Sequence, residues 1–262
     1  MKSVLKNLLQ RGMGFDNYLF GFSLYKISTL RYDPSERDFY HFMKMLPKEG
    51  IVLDIGANIG LMTVSLAREI KDCEVYSFEP IPDNYNALKR ITDFYGVKNV
   101  KLFPIALGNE DKILDMVMPV KDSVKMQGLC HVIDESIPKV SKGKKFSIPS
   151  KMLDNMDCIK NCCKPITGIK IDVEHFEWAV LEGGREIIKK YKPLIYCELA
   201  DNMNRVKSLM LLEELGYKAK ILVDGKLENF DKEKHKKVNF FFVPDGVSDD
   251  TAVAEDVTSI DV

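Results

Sequence analysis

Ile51-Val52-Leu53-Asp54-Ile55-Gly56-Ala57-Asn58-Ile59-Gly60 decides the fold of this 262-residue chain. Ile51, Val52, Leu53 and Ile55 are apolar and β-favouring, the composition of a strand covered on both faces. Gly56 and Gly60 remove Cβ atoms where a backbone must turn sharply or a ligand must come close. A helix after that turn would aim free N–H groups and its positive dipole end at an anionic ligand group. Val75-Tyr76-Ser77-Phe78-Glu79-Pro80 follows as a second strand ending in a carboxylate. A carboxylate there can accept two hydrogen bonds from a ribose diol.

The spacing narrows the ligand. A nicotinamide fingerprint is G-x-G-x-x-G, whereas this run is D-x-G-x-N-x-G with Asn58 where a glycine would meet a pyrophosphate. Asp54 sits inside the strand end, where it suits a cofactor with an amino-acid end and no phosphate, namely S-adenosylmethionine. The plainer alternative is a tight strand–helix turn in any α/β domain.

Composition bounds the rest. The length suits one large α/β domain, and 45% hydrophobic with 29% charged residues is ordinary for a soluble globular protein. The formal net charge of −1 lacks the basic excess of a protein that grips nucleic acid, so no nucleic-acid partner is expected. Lys142, Lys144 and Lys145 form a local basic cluster that reads as a solvated loop. No apolar run approaches the roughly 18 to 20 residues of a membrane span. The N-terminus lacks a signal-peptide pattern, because Lys6, Asn7 and Arg11 interrupt any apolar core. Leu5, Leu8 and Leu9 fit one helical face, expected to pack on the domain. Cys73, Cys130, Cys158, Cys162, Cys163 and Cys197 read as reduced thiols of a cytoplasmic protein. Cys158, Cys162 and Cys163 lie close together but lack paired C-x-x-C hooks, so no zinc site is expected there.

Along the chain, residues 1–50 read as a helical segment packing on the core, with Asp33-Pro34-Ser35-Glu36 as a helix start. Helices are expected near 61–70 and 82–95, and strands at 74–79 and 100–107. Ile113, Asp115 and Val117 suggest a short strand, and residues 119–150 form an insertion of irregular appearance, a candidate lid or acceptor loop. Strands resume at 166–173, 193–199, 217–223 and 238–243, with helices at 176–191 and 203–215 between them. Asp224-Gly225 marks a hairpin. Residues 51–243 therefore form one domain, and 244–262 read as a disordered acidic tail. The alternation predicts a doubly wound, Rossmann-like α/β fold with a mostly parallel sheet.

Lys170-Ile171-Asp172-Val173-Glu174-His175-Phe176-Glu177-Trp178 is the second dense cluster. Ligands of such sheets bind beyond the carboxyl ends of the strands, which places Asp172, Glu174 and Glu198 on one edge. Acids gathered there need a proton or a cation nearby. The sulfonium of the donor supplies one positive charge and Lys170 another. Transfer of a methyl to a hydroxyl benefits from a positioned base, with Asp172 the first choice and His175 the second. Glu198 and Glu174 would orient the acceptor. The alternative is that Asp172 and Glu174 cap the next helix.

VLDIGANIG, SFEP, the Leu153-Asp154 pair, KIDVEHFEWAVLEGG and PLIYCEL, in this order, resemble the FkbM-type methyltransferases from about Asp33 to Val243. The resemblance implies a class I methyltransferase fold with a seven-stranded sheet whose last strand is antiparallel. It also implies S-adenosyl-L-methionine as donor and a hydroxyl acceptor, often on a glycan or small metabolite. Carried over, Asp54, Gly56, Ala57, Asn58 and Gly60 resemble the donor-binding loop. Glu79 resembles the ribose ligand with Pro80 beside it, and Ala106 and Leu107 occupy the adenine position. Asp172 lies against the donor, and Asp172, Glu174 and Glu177 match a D-V-E-x-x-E pattern. The glycine common after that pattern's first Glu is His175 here. Methylation of RNA or protein, a silent donor-binding module and a nicotinamide dehydrogenase are the competing readings. The absence of an N-P-P-Y tetrad counts against amine methylation. The acceptor, the oligomeric state and any divalent-metal requirement are left open by the sequence.

Overall fold

Apolar runs bounded by glycine and proline become the strands, and the amphipathic segments between them cover both faces. The computed structural model describes residues 2–133 and 142–247. Helices α1 (Lys2–Gly12), α2 (Phe15–Leu30) and α3 (Arg37–Met45) precede strand β1 (Gly50–Ile55). Next come α4 (Leu61–Glu69), β2 (Cys73–Phe78), α5 (Pro82–Tyr95) and β3 (Val100–Phe103). β4 (Ala106–Leu107), β5 (Lys112–Lys121), β6 (Val124–Lys125), β7 (His131–Val132) and β8 (Gly143–Lys151) follow. The chain continues through α6 (Asp157–Lys160), β9 (Ile166–Ile171), α7 (Glu177–Glu182), α8 (Arg185–Tyr191) and β10 (Leu194–Glu198). It closes with α9 (Met203–Glu214), β11 (Tyr217–Val223), β12 (Lys226–Asn229) and β13 (Asn239–Pro244).

The main sheet runs β3-β2-β1-β9-β10-β13-β11-β12, parallel from β3 to β10 and antiparallel at β13. This is the doubly wound α/β arrangement expected, with an eighth strand, β12, added at the edge. The addition follows from Asp224 and Gly225, which take φ of 49° and 83° and so make the tight turn that pairs Val223 with Lys226. Ile51, Leu53 and Ile55 of β1 point to one core layer with Ile169, Ile171 and Leu211. Val52 points to the other, where Phe39 and Phe42 of α3 meet Tyr196 and Phe241. Ordinary pleat alternation thus divides β1 between two cores.

The structure departs from the sequence reading in four places. The third strand ends at Phe103, because Pro104 has no N–H for the ladder, and Ala106–Leu107 instead join β8. The insertion is a second sheet in its described part, with β5 and β8 antiparallel from Lys112↔Ser150 to Pro119↔Gly143. Leu114, Met116, Met118 and Ile148 line its covered face. Its other face mixes the exposed Asp115, Lys145 and Ser147 with Ile113 and the buried Val117, so no clean alternation marks these strands along their length; residues 134–141 lie outside the described residues. Pro244 belongs to β13 rather than to the tail, whose residues 248–262 also lie outside them. Finally, Leu5, Leu8 and Leu9 do not pack on the domain but are exposed. The amides of Asn7 and Gln10 take the inward side, hydrogen-bonding the backbone of the β5–β6 hairpin.

The two sheets are locked where Gly183, at the end of α7, crosses Gly108. A Cβ on Gly183 would stand 1.9 Å from the carbonyl oxygen of Gly108. Gly183→Ala is expected to cost about 2–4 kcal/mol, read as a fall in thermal midpoint of roughly 5–10 °C. An unchanged melting curve would show that this crossing yields without cost.

Candidate functional site at the carboxyl edge

The turn after β1 passes three left-handed residues, Gly56, Asn58 and Gly60, at φ of 79°, 50° and 87°. The glycines answer to protein neighbours. A Cβ on Gly56 would lie 1.9 Å from the Asp172 carbonyl oxygen, and one on Gly60 would lie 2.7 Å from Ile91 and 2.9 Å from Leu88. Asparagine tolerates the left-handed region better than most side chains, which suits position 58. Its backbone N–H donates to Glu79 Oε2 at 2.8 Å. Glu79 Oε1 accepts from the Ile81 N–H at 2.9 Å and from Asn84 Nδ2 at 3.4 Å. Burial pushes the Glu79 carboxyl up to about 7 despite these donors, which pull it down.

A cavity opens in front of Glu79. Gly56, Asn58 and Pro80 line one side, Asp172 and Glu174 a second, and Gln127 and Cys130 a third. The last pair comes from the insertion. Asn84 Nδ2 also donates to the Gln127 carbonyl at 3.3 Å, so the short turn Gln127–Leu129 roofs the loop. Asn58 Oδ1, Asn84 Oδ1 and Gln127 Oε1 are buried acceptors without a hydrogen-bond partner among the described residues. Asn84 and Gln127 were not singled out from sequence. Asn84 lies five residues beyond Glu79, in the first turn of α5, and that spacing was the available signal. Gln127 had none, because it sits in a segment whose strands were not legible.

Other expected residues stand elsewhere. Asp54 does not reach the cavity. It is fully buried behind the loop, where Oδ2 accepts from Thr63 Oγ1 at 2.6 Å and Oδ1 pairs with Lys170 Nζ at 3.1 Å. Lys170 Nζ also donates to the Gly56 carbonyl at 2.9 Å and lies 3.9 Å from Asp172 Oδ2. Burial works against its charge, but Asp54 and Asp172 outweigh that and hold the ammonium above its ordinary value. Ala57, Gly60, Ala106 and Leu107 do not line the cavity; Ala106 packs with Ile81 and Met116 in the second sheet's core. Glu198 ends β10 outside it as well, its carboxyl raised by partial desolvation and then by repulsion from Asp172.

His175 also faces away from the cavity. Its Nδ1 meets Asn202 Nδ2 at 3.1 Å, and its carbonyl accepts from Asn204 Nδ2. Glu174 and His175 take φ of 42° and 72°, two successive left-handed residues without glycine. The glycine of the resembled pattern would fit this backbone at position 175 without strain. Here the two asparagines at the start of α9 hold the histidine in place.

Glu174 and Glu177 are raised to about 7, first by burial and then by the neighbouring Asp172 and Glu198; two backbone N–H groups oppose the rise at Glu177. With Glu79, three carboxyls thus stand above the ordinary glutamate value of 4.5 in the folded chain. A raised carboxyl binds more protons folded than unfolded, so its contribution to stability declines as pH rises between the two values. The ligand-free protein is expected to lose thermal stability from pH 4.5 to about 7, with no further loss from these groups above it. Glu79→Gln should flatten that slope in a series of melting curves, and a slope equal to wild type would count against the assignment.

Residues 54–219 match the profile of the family described as methyltransferase FkbM domain. "Methyltransferase 1" of Beauveria bassiana (strain ARSEF 2860) is 25% identical over 148 residues, covering 52% of this chain and 59% of that protein. The chain thus spans less than two thirds of that relative's length. Among solved structures, the methyltransferase FkbM of Methylobacillus flagellatus KT aligns with a TM-score of 0.49 at 16% identity, over 74% of this chain and 44% of that one. A SAM-dependent O-methyltransferase of Thermotoga maritima aligns with a TM-score of 0.45 at 13% identity, over 80% of this chain and 65% of that one.

Proposed function

The chain belongs to the FkbM methyltransferase family, whose methyl donor is S-adenosylmethionine, and from that premise we propose that it methylates a hydroxyl oxygen of a sugar, glycan or small metabolite. The observation that carries this reading is the single cavity shared by Glu79, the Gly56–Asn58 turn, Asp172 and Glu174.

The donor set suits the cofactor. Asn58 Oδ1, Asn84 Oδ1 and Gln127 Oε1 are buried acceptors awaiting donors, and the Glu79 carboxylate has lone pairs beyond those its three N–H partners use. A nucleoside with hydroxyls, an amine and an α-ammonium offers such donors. When bound, S-adenosylmethionine supplies an already activated methyl on a cationic sulfur. Glu79 would hold the ribose side, with Asn84 and Gln127 beside it. Asp172, steadied by Lys170, would orient the positive groups of the donor.

We assign the base to Glu174 rather than to Asp172 or His175. Its carboxyl at about 7 is matched to taking a hydroxyl proton near neutrality, and it lines the cavity while His175 does not. The proton would pass from the acceptor oxygen to a Glu174 carboxylate oxygen. Near-neutral charge and the lack of an N-P-P-Y tetrad weigh against RNA or protein acceptors.

Incubation with labelled donor and fractionated glycans and metabolites should place label on a hydroxyl-bearing fraction. Glu174→Gln should lower transfer by about 10²–10⁴ while leaving donor affinity by calorimetry within about twofold. Transfer by the variant at the wild-type rate would remove Glu174 as base. Donor binding without transfer to any fraction would favour the silent binding module, and label on RNA or protein would overturn the hydroxyl metabolite.

A further inference from the structure

Helix α1 is folded with its polar side in and its apolar side out. Asn7 Nδ2 donates to the carbonyls of Asp122 and Ser123 at 3.3 and 3.0 Å. Gln10 grips the backbone of Lys125 with both ends of its amide, at 3.1 and 3.0 Å. Val4, Leu5, Leu8 and Leu9 are 62%, 59%, 62% and 41% exposed. Positions 4, 5, 8 and 9 share one side of a helix, so these four make a continuous apolar stripe. A solvated helix gains nothing by this orientation, and a contiguous exposed stripe marks a surface that meets something apolar.

Charge identifies the occupant. α1 carries Lys6 and Arg11 and no acidic residue. The hairpin turn held by Asn7 brings Lys121 alongside. Lys142 joins that end through the bond from the Val120 N–H to its carbonyl at 3.0 Å. Asp122 is the acid in the same turn. The whole chain carries only −1, so this basic concentration is local. A second copy seated on the stripe by a twofold axis would bring the basic residues of one α1 against those of the other. Anionic headgroups complement the same residues, and acyl chains complement the leucines.

We propose that α1 lies in the interface of an anionic membrane, Leu5 and Leu8 toward the acyl region and Arg11, Lys121 and Lys142 among the headgroups. The attachment is peripheral: no helix among the described residues is long and apolar enough to cross a membrane. The inward side of the same helix is tied to the wall of the candidate donor site, because Lys125, gripped by Gln10, stands two residues before the roof residue Gln127.

The test is co-sedimentation of the full chain with phosphatidylcholine vesicles containing about one third phosphatidylglycerol, against phosphatidylcholine alone, at low and high salt. Binding to the anionic vesicles, weakened by salt, is expected. The double variant Leu5→Glu/Leu8→Glu should bind at least about tenfold more weakly. Its melting temperature should match wild type, because both side chains are solvent-exposed in the free protein. Arg11→Glu should give a smaller loss, about fivefold to tenfold. Equal binding by wild type and the double variant overturns the proposal, as does no binding at low salt. So does a wild-type dimer in solution that the double variant converts to monomer, which would assign the stripe to a second copy.

Discussion

Asp54 and Lys170 face each other in register on the adjacent strands β1 and β9, paired at 3.1 Å with both side chains buried. Such a pair adds little net stability, since desolvation offsets most of the attraction, but losing one partner strands a charge at a cost of roughly 3–5 kcal/mol. Its value lies in position. The Lys170 ammonium also holds the Gly56 carbonyl, and Asp172 lies two residues beyond it. One cation therefore fixes the turn after β1 against the turn after β9. Two walls of the candidate site, Gly56 with Asn58 and Asp172 with Glu174, come from these two turns. The closeness of Gly56 to the Asp172 carbonyl, where no Cβ fits, is the steric side of the same junction.

The electrostatics follow from that geometry. Lys170 is committed to Asp54 and Gly56 on the buried side, which leaves Asp172, Glu174, Glu177 and Glu198 to crowd one another on the open side. Burial and mutual repulsion raise three of them, and Glu79 rises by burial. A group near its pKa at neutral pH can lose its proton to accommodate an entering cation, or take one from an acceptor. Both behaviours suit methyl transfer from a sulfonium, in which a positive charge disappears from the donor as a proton leaves the acceptor.

The central strands of the main sheet were legible because β1, β2, β9, β10 and β13 are largely apolar runs buried on both faces. Turn chemistry was legible for the same local reason: Gly96 caps α5 at φ 63°, and Asp33 accepts from the Ser35 N–H at 3.1 Å. Glu79 could be picked out because its place at a strand end is a sequence position. Asp54 looked like a ligand residue, and only the register with Lys170 shows it turned away. Of the insertion only the start of β5, at Ile113, Asp115 and Val117, was legible, because β8 has one solvated face and no second buried one. Lysine and serine there conceal a period of two. Gln127, and with it a third wall of the cavity, was lost along with those strands.

The same physics explains why α1 defied its pattern. Amphipathic periodicity locates an apolar stripe but not the direction it faces. That direction is decided by what the polar side can bond. The hairpin turn at 121–125 offers exposed backbone groups, and Asn7 and Gln10 satisfy four of them. Burying the leucines instead would leave those groups and both amides to water, and α1 would need an apolar counterpart that the hairpin, with Lys121, Asp122 and Ser123 at its tip, does not provide. Val124, the nearest apolar residue, is already buried. The outward stripe is thus a consequence of the hairpin's polarity, and hairpin, helix and the roof over Glu79 form one connected wall.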